Sequence, residues 1–389
     1  MKATCLSIVL ALLLPLWAEF SGEVGVEFQA FPHKGAYGQE EQLEHTLLIQ
    51  PEYSRSWNQD RRVFTFIPYA RLGSHDEERN HFDIRELSFI GSWPVFDLRA
   101  GISKVFWGVT ESQHLVDVVN QTDAVENIDG EDKLGQPMIH LTWVQSFGNV
   151  EFFWLPYFRE RLLPGEDGRF RGPVAVDQDQ ARYTDDREEW HQDLAFRWSH
   201  YVGALDWGLS YFRGTDRDPV LELDEEGRLI PVYGQSWQLG LELQIVYLDW
   251  LFKGEFLHKE RESYSDYQAW VTGFEYTFVN LGPGADIGVL YEWLYDDRGR
   301  ASGSGLDDAS FVGTRLAMND EASSELLFGG FIDHQSADVV SLRLEASRRL
   351  GASWKLEVEG TLIEQPPENS FFDAISRDDY LQVTLSYFW

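Results

Sequence analysis

Apolar and polar residues alternate along this chain, stretch after stretch. That two-residue period belongs to β-strands with one greasy face and one wet face. Leu239, Leu241, Leu243 and Ile245 stand on one side of such a stretch, with Gln238, Gly240, Glu242 and Gln244 on the other. Trp354, Leu356, Val358 and Leu362 oppose Lys355, Glu357, Glu359 and Thr361, and Val340, Leu342, Leu344 and Ala346 oppose Ser341, Arg343, Glu345 and Ser347. The period predicts about eighteen strands with no helix between them. The clearest cover residues 24–30, 46–54, 63–72, 96–103, 139–145, 150–158, 194–199, 205–212, 237–245, 250–256, 270–278, 287–295, 340–347 and 354–362. Residues 82–91, 311–318 and 326–332 carry a weaker pattern, and 380–389 closes the chain.

The connections sort by length. Every second one is tight: 58–61, 93–95, 147–149, 200–203, 247–249, 280–284, 319–322 and 350–352. The long ones, 109–138, 159–189, 214–234, 296–309 and 364–378, all fall in the other class. A soluble sandwich has no reason to sort its loops. A closed barrel in an outer membrane does, with short periplasmic turns and long extracellular loops. The expected fold is therefore all-β, a transmembrane antiparallel barrel of about 18 strands, with 16 within the error of the count. Trp57, Trp93, Trp143, Trp154, Trp198, Trp207, Trp250, Trp293 and Tyr387 lie near strand ends, as aromatic girdles require.

The last strand adds an assembly signal. Leu381, Val383, Leu385, Tyr387 and Trp389 share the apolar parity, and an aromatic residue ends the chain. Free chain ends usually fray, whereas a closing strand must be recognised by the barrel-assembly machinery and must seal against the first strand. Parity turns Trp389 toward lipid and Phe388 inward.

Residues 1–18 read as a secretory signal peptide: Lys2 before an apolar run from Ile8 to Leu16, then Leu16-Trp17-Ala18 at the cut. Cys5, the only cysteine, falls inside it, so the exported barrel, 19–389, has no disulfide and draws its stability from elsewhere. The chain carries 15 Trp, 16 Tyr and 26 Phe, yet its mean hydropathy is only −0.33. Lipid and lumen faces that average out produce that combination. Net charge is −33, which excludes nucleic acid as a partner. The acidity suits a cation-preferring pore, loops that bind divalent ions bridging lipopolysaccharide, or adaptation to a salty habitat.

The connection 109–138 carries the most specific chemistry. Thr110 and Gln113 have capping-box spacing, which predicts a short helix over 114–120. Its apolar side would be Leu115, Val116, Val118 and Val119, too many aliphatics for a water-exposed loop and right for one packed on the inner wall. In signal peptide, terminal strand, loop parity and long third loop, the mature chain resembles the general bacterial porins. Residues 101–123 also resemble a stretch of uncharacterised Gram-negative outer-membrane barrels, with Trp107-Gly108 and Asn120–Asp123 as anchors.

The porin resemblance implies a third loop dipping into the channel, a passive pore in the outer membrane for small hydrophilic solutes or ions, no cofactor, and a homotrimer as one assembly. Sixteen or eighteen strands fit it equally. Glu111, Asp117, Asp123, Glu126, Asp129, Glu131 and Asp132 would then line the constriction. Arg71, Arg99, Arg343 and Lys355, on the polar parity, are basic candidates to face them. Opposed acids and bases across a pore make a transverse field, and the acidic surplus predicts cation preference.

Rival classes have weaker support. No histidines pair at metal-ligand spacing, and the acidic stretches 177–179 and 216–226 lack the pattern of a calcium loop. His334 near Ser336 and His258 near Ser263 show no catalytic spacing, so no enzyme is expected. A plug domain has no room before the first strand. A structural or adhesive barrel that binds a partner through its loops is the alternative.

Overall fold

The computed structural model describes residues 18–282, 284–302 and 305–389. Residues 1–17 of the expected 1–18 leader, Cys5 among them, lie outside the described residues, and Ala18 opens the first strand. In chain order the strands are β1 (Ala18–Ala30), β2 (Leu43–Trp57), β3 (Arg62–Gly73), β4 (His81–Ser92), β5 (Phe96–Ser103), β6 (Gln136–Gln145), β7 (Gly148–Leu155), β8 (Arg182–Tyr183), β9 (Asp193–Val202), β10 (Leu205–Thr215), β11 (Val220–Leu223), β12 (Leu229–Tyr233), β13 (Gln235–Tyr247), β14 (Trp250–Arg261), β15 (Tyr267–Leu281), β16 (Ala285–Asp296), β17 (Asp308–Ala317), β18 (Glu325–Asp333), β19 (Val339–Arg349), β20 (Trp354–Ile363) and β21 (Tyr380–Phe388).

Eighteen of these strands form one antiparallel sheet; β8, β11 and β12 form a small second sheet within the loops. β1 pairs with β21, from Glu23 opposite Phe388 to Ala30 opposite Leu381, so the large sheet closes on itself. Closure leaves no row of unpaired backbone groups facing lipid, where each would cost several kcal/mol.

The wall is inside-out relative to a soluble protein. Leu239 is 40% exposed while its neighbour Gln238 is 3% exposed. Trp57, Trp143, Trp250, Trp293 and Tyr387 stand exposed on the outer face. An apolar exterior around a polar interior is stable only when lipid covers the outside. The tight turns sit at one end. In the β2–β3 turn, Asn58, Gln59 and Asp60 all take left-handed backbone, with φ of 55 to 58°.

Two boundaries differ from the period-two reading. The strand expected over 150–158 leaves the wall at Leu155. Phe158 instead packs against Tyr233, with ring centroids 5.0 Å apart, inside the loops. Apolar parity cannot tell a lipid-facing side chain from one buried under a loop. The third outer connection spans 104–135, so Met138 belongs to β6 and Lys104 to the loop.

Candidate functional site

The loop 104–135 does not stay outside. Asn120 clasps its two legs together: its Oδ1 accepts from Val105 N (2.9 Å), and its Nδ2 donates to Ser103 O (2.9 Å) and Leu134 O (2.8 Å). Beyond that clasp the chain crosses the lumen to the opposite wall. Gly108 N donates to Glu242 of β13 (3.0 Å). Glu255 of β14 accepts from Val109 N (2.7 Å), Thr110 N (3.1 Å), Thr110 Oγ1 (2.7 Å) and Val116 N (3.3 Å). Glu292 of β16 accepts from Glu111 N (2.9 Å), Ser112 N (2.8 Å) and Ser112 Oγ (2.6 Å). Glu255 and Glu292 are each 2% exposed. Buried carboxylates accepting from backbone N–H groups make bonds roughly twice as strong as neutral ones. Gly108, at φ +137°, permits the approach; a Cβ there would lie 2.9 Å from the Glu255 carboxylate.

This strap replaces the helix expected over 114–120; no helix forms between 104 and 135. The capping hydroxyl of Thr110 donates to Glu255 and to Gln113 O instead. The wall instead takes the N–H groups of residues 108–112, where the helix would start, and that of Val116 within it. The aliphatic residues do pack inward. Val116, Val118 and Val119 join Trp107 against Phe153, Leu155 and Phe212 of the wall. Leu115 packs beside Leu257, Tyr267 and Ala269.

The acidic residues divide into two groups. Glu111, Asp129 and Glu131 meet wall bases. Glu111 pairs with Arg315 at 2.6 Å and lies 3.7 Å from Lys253. Asp129 pairs with Arg343 at 2.6 Å, and Glu131 lies 3.9 Å from the same guanidinium. Glu131 is 52% exposed at its side chain, yet burial and the charge of Asp129 raise its carboxyl to about 7. Asp117, Asp123, Glu126 and Asp132 are turned into the protein. Asp117 faces Lys133 at 3.4 Å, and burial pushes its carboxyl up. Asp123 sits 3.1 Å from Arg85, which also bonds Glu126. Burial opposes ionisation of Asp123, but His81 and Arg85 outweigh it and hold the carboxyl low. Burial and the neighbouring Glu126 push the Asp132 carboxyl well above its ordinary value.

Of the basic candidates, only Arg343 reaches the loop. Arg71 turns to Glu27 of β1 at 2.6 Å. Lys355 bonds Glu357 two residues along its own strand, at 2.5 Å. Both have an acid closer on the wall than any on the loop. Arg99 stands in register with His140 of β6 and makes no ion pair among the described residues. Arg85, Lys253 and Arg315 hold the positions facing the loop, with Glu242, Glu255 and Glu292 as its anchors. Their inward parity was readable; their level in the barrel was not. His81, Asp123 and Glu126 come together as a group able to ligate a metal. Arg85 already occupies the same carboxylate oxygens, where a metal ion would face its charge.

The loop between β7 and β9 crosses the mouth above the strap. Its Arg169 is 3% exposed and reaches Asp378 (2.8 Å), Glu41 O (3.1 Å) and His33 O (3.0 Å). Phe170 inserts between Phe31 and Tyr380, with centroids 5.8 and 5.3 Å away. A chamber of about 760 Å³ lies between this roof and the strap. A second cavity, about 580 Å³, opens on the short-turn side, with Val109 of the strap among its lining residues.

No known sequence family matches the chain, and no curated protein does. Solved structures do. Wzi of Escherichia coli, an outer-membrane protein involved in group 1 capsule assembly and described as a carbohydrate-binding β-barrel, matches at TM-score 0.57 and 10% identity, over 99% of this chain and 88% of that one. A BenF-like porin from Pseudomonas fluorescens Pf-5 matches at 0.53 and 8% identity, over 96% and 98%. OccK11 of Pseudomonas aeruginosa matches at 0.52 and 11% identity, over 96% and 95%.

Proposed function

We propose that this chain, which has the fold of porin-type outer-membrane β-barrels closed by eighteen strands, is a passive channel, exported by a cleaved leader to the outer membrane, for small hydrophilic solutes or ions. One observation carries the reading: the strap crosses the lumen and sets Glu111, Asp129 and Glu131 against Arg315 and Arg343. A structural plug needs no acid–base pairs at its free edge, whereas a filter does. Glu345 adds a carboxylate beside Arg343. With Lys253 beside Glu111, four acids stand against three bases there, and the channel prefers cations. Lipid, lipopolysaccharide and the assembly machinery are its expected partners.

Reversal potentials in a salt gradient across a planar bilayer test this. Cation preference is expected, and clear anion preference would overturn it. Glu131 adds a pH signature. Below pH 7 its carboxyl is neutral and above it charged. The cation-to-anion permeability ratio should therefore rise between pH 6 and pH 8 in the natural protein and stay flatter in Glu131→Gln. No conductance from correctly folded protein would remove the channel reading altogether.

A further inference from the structure

The chamber between roof and strap does not look like a passage for ions alone. Its size lies within the ~300–1,000 Å³ typical of ligand pockets. Leu257, Leu294, Phe331, Phe371 and Phe372 make much of its wall apolar, unlike the wet lumen that ion passage alone requires. Its lining is also rich in bases. The chain carries −33, yet seven lysine and arginine residues line the chamber against three aspartates.

The bases concentrate on one wall. Arg161 pairs with Asp218 at 2.6 Å, and Lys259 lies 3.8 Å from the same carboxylate. Carboxylates answer most of this charge: Lys259 also bonds Asp216 at 2.6 Å, Arg298 bonds Asp296 at 2.6 Å, Arg217 bonds Asp193 at 2.7 Å, and Arg343 bonds Asp129 at 2.6 Å. Donors remain unspent. Nη1 of Arg161 and Nη1 of Arg298 make no hydrogen bond among the described residues. Gln238, in register with Lys259 and 3% exposed, has a buried amide nitrogen with no partner. A buried donor left unfilled is costly, so a wall that keeps one beside several cations is set up for an acceptor.

We propose that this chamber binds a small amphipathic organic anion, its oxyanion head at Arg161, Arg298 and Gln238 and its apolar body against Leu294, Phe331 and Phe372. This deepens the channel reading by naming a solute class that the acidic edge of the strap does not suggest. Binding occurs above that edge. The bound anion therefore lingers on the outer side and obstructs the cation current.

Calorimetric titration of the purified full chain with 3-phenylpropionate, 3-phenylpropanol and propionate tests the proposal. Saturable binding of 3-phenylpropionate is expected, and the other two, each lacking one half of the recognition, should bind at least about tenfold more weakly. Arg161→Gln and Arg298→Gln should each weaken 3-phenylpropionate about tenfold while leaving the heat-modifiable gel shift of the folded barrel intact. Equal binding of acid and alcohol, or no binding by folded protein, would overturn the inference. Conduction is measured separately, so loss of the binding site and loss of the channel reading are distinguishable.

Discussion

Glu255→Ala combined with Glu292→Ala should release the strap and raise single-channel conductance several-fold. Seven donors of the loop converge on these two side chains: Val109 N, Thr110 N, Thr110 Oγ1, Val116 N, Glu111 N, Ser112 N and Ser112 Oγ. Hydrogen bonds to a buried charge are worth about 1.5–3 kcal/mol each and do not add simply. About 3–5 kcal/mol of lost attachment matches the burial of about two apolar side chains such as Leu115, at about 1.5–3 kcal/mol each. The barrel should survive, because its ladder of strand pairs does not involve the strap. The expected result is a folded, heat-modifiable protein with larger and noisier currents. Deleting 112–133 should give a similar increase. An unchanged conductance in the double variant would mean that packing of Val116, Val118 and Val119 alone holds the loop. Glu255→Gln should fall between the two, since its amide keeps an acceptor but loses the charge.

Trp389→Ala should assemble poorly, and Phe388→Ala nearly normally. The closing seam shows why. Phe388 lies opposite Glu23 on the inward parity. Trp389 carries its ring to the outer face, 6.4 Å from Phe20, and its backbone N–H donates to Gly22 O at 3.2 Å. The indole lies over Gly22 so closely that a Cβ there would approach it to 2.4 Å. Removing the ring takes away an aromatic contact worth about 0.5–1.5 kcal/mol beyond its area, at the one seam that forms between chain ends. Gly22→Val should damage the same seam from the other side. The fraction of heat-modifiable barrel in outer-membrane preparations measures all three, and a larger loss in Phe388→Ala would mean that the register at the seam is different.

Much of the architecture could be read without coordinates because it is local. A strand in lipid must alternate, since each side chain faces either hydrocarbon or water, and that rule acts residue by residue. Hence the eighteen strands, the sorted loops and the outward turn of Trp389 follow from the chain itself. So does the inward packing of the third loop, because Leu115, Val116, Val118 and Val119 need a dry surface somewhere. The strap's path was not local. Glu255 accepts from a residue 145 positions away, and Glu292 from one 181 positions away. Parity places each carboxylate on the inner face, but only the stagger of the closed sheet sets its height in the barrel. That height decides which loop N–H groups it meets, and therefore that 114–120 runs as a strap rather than a helix. It also decides that Arg343 and Arg315 face the loop while Arg71 and Lys355 find closer acids on the wall. The chamber is a tertiary product as well: its basic wall joins loop and strand residues from separate parts of the chain, in a protein whose overall charge points the other way.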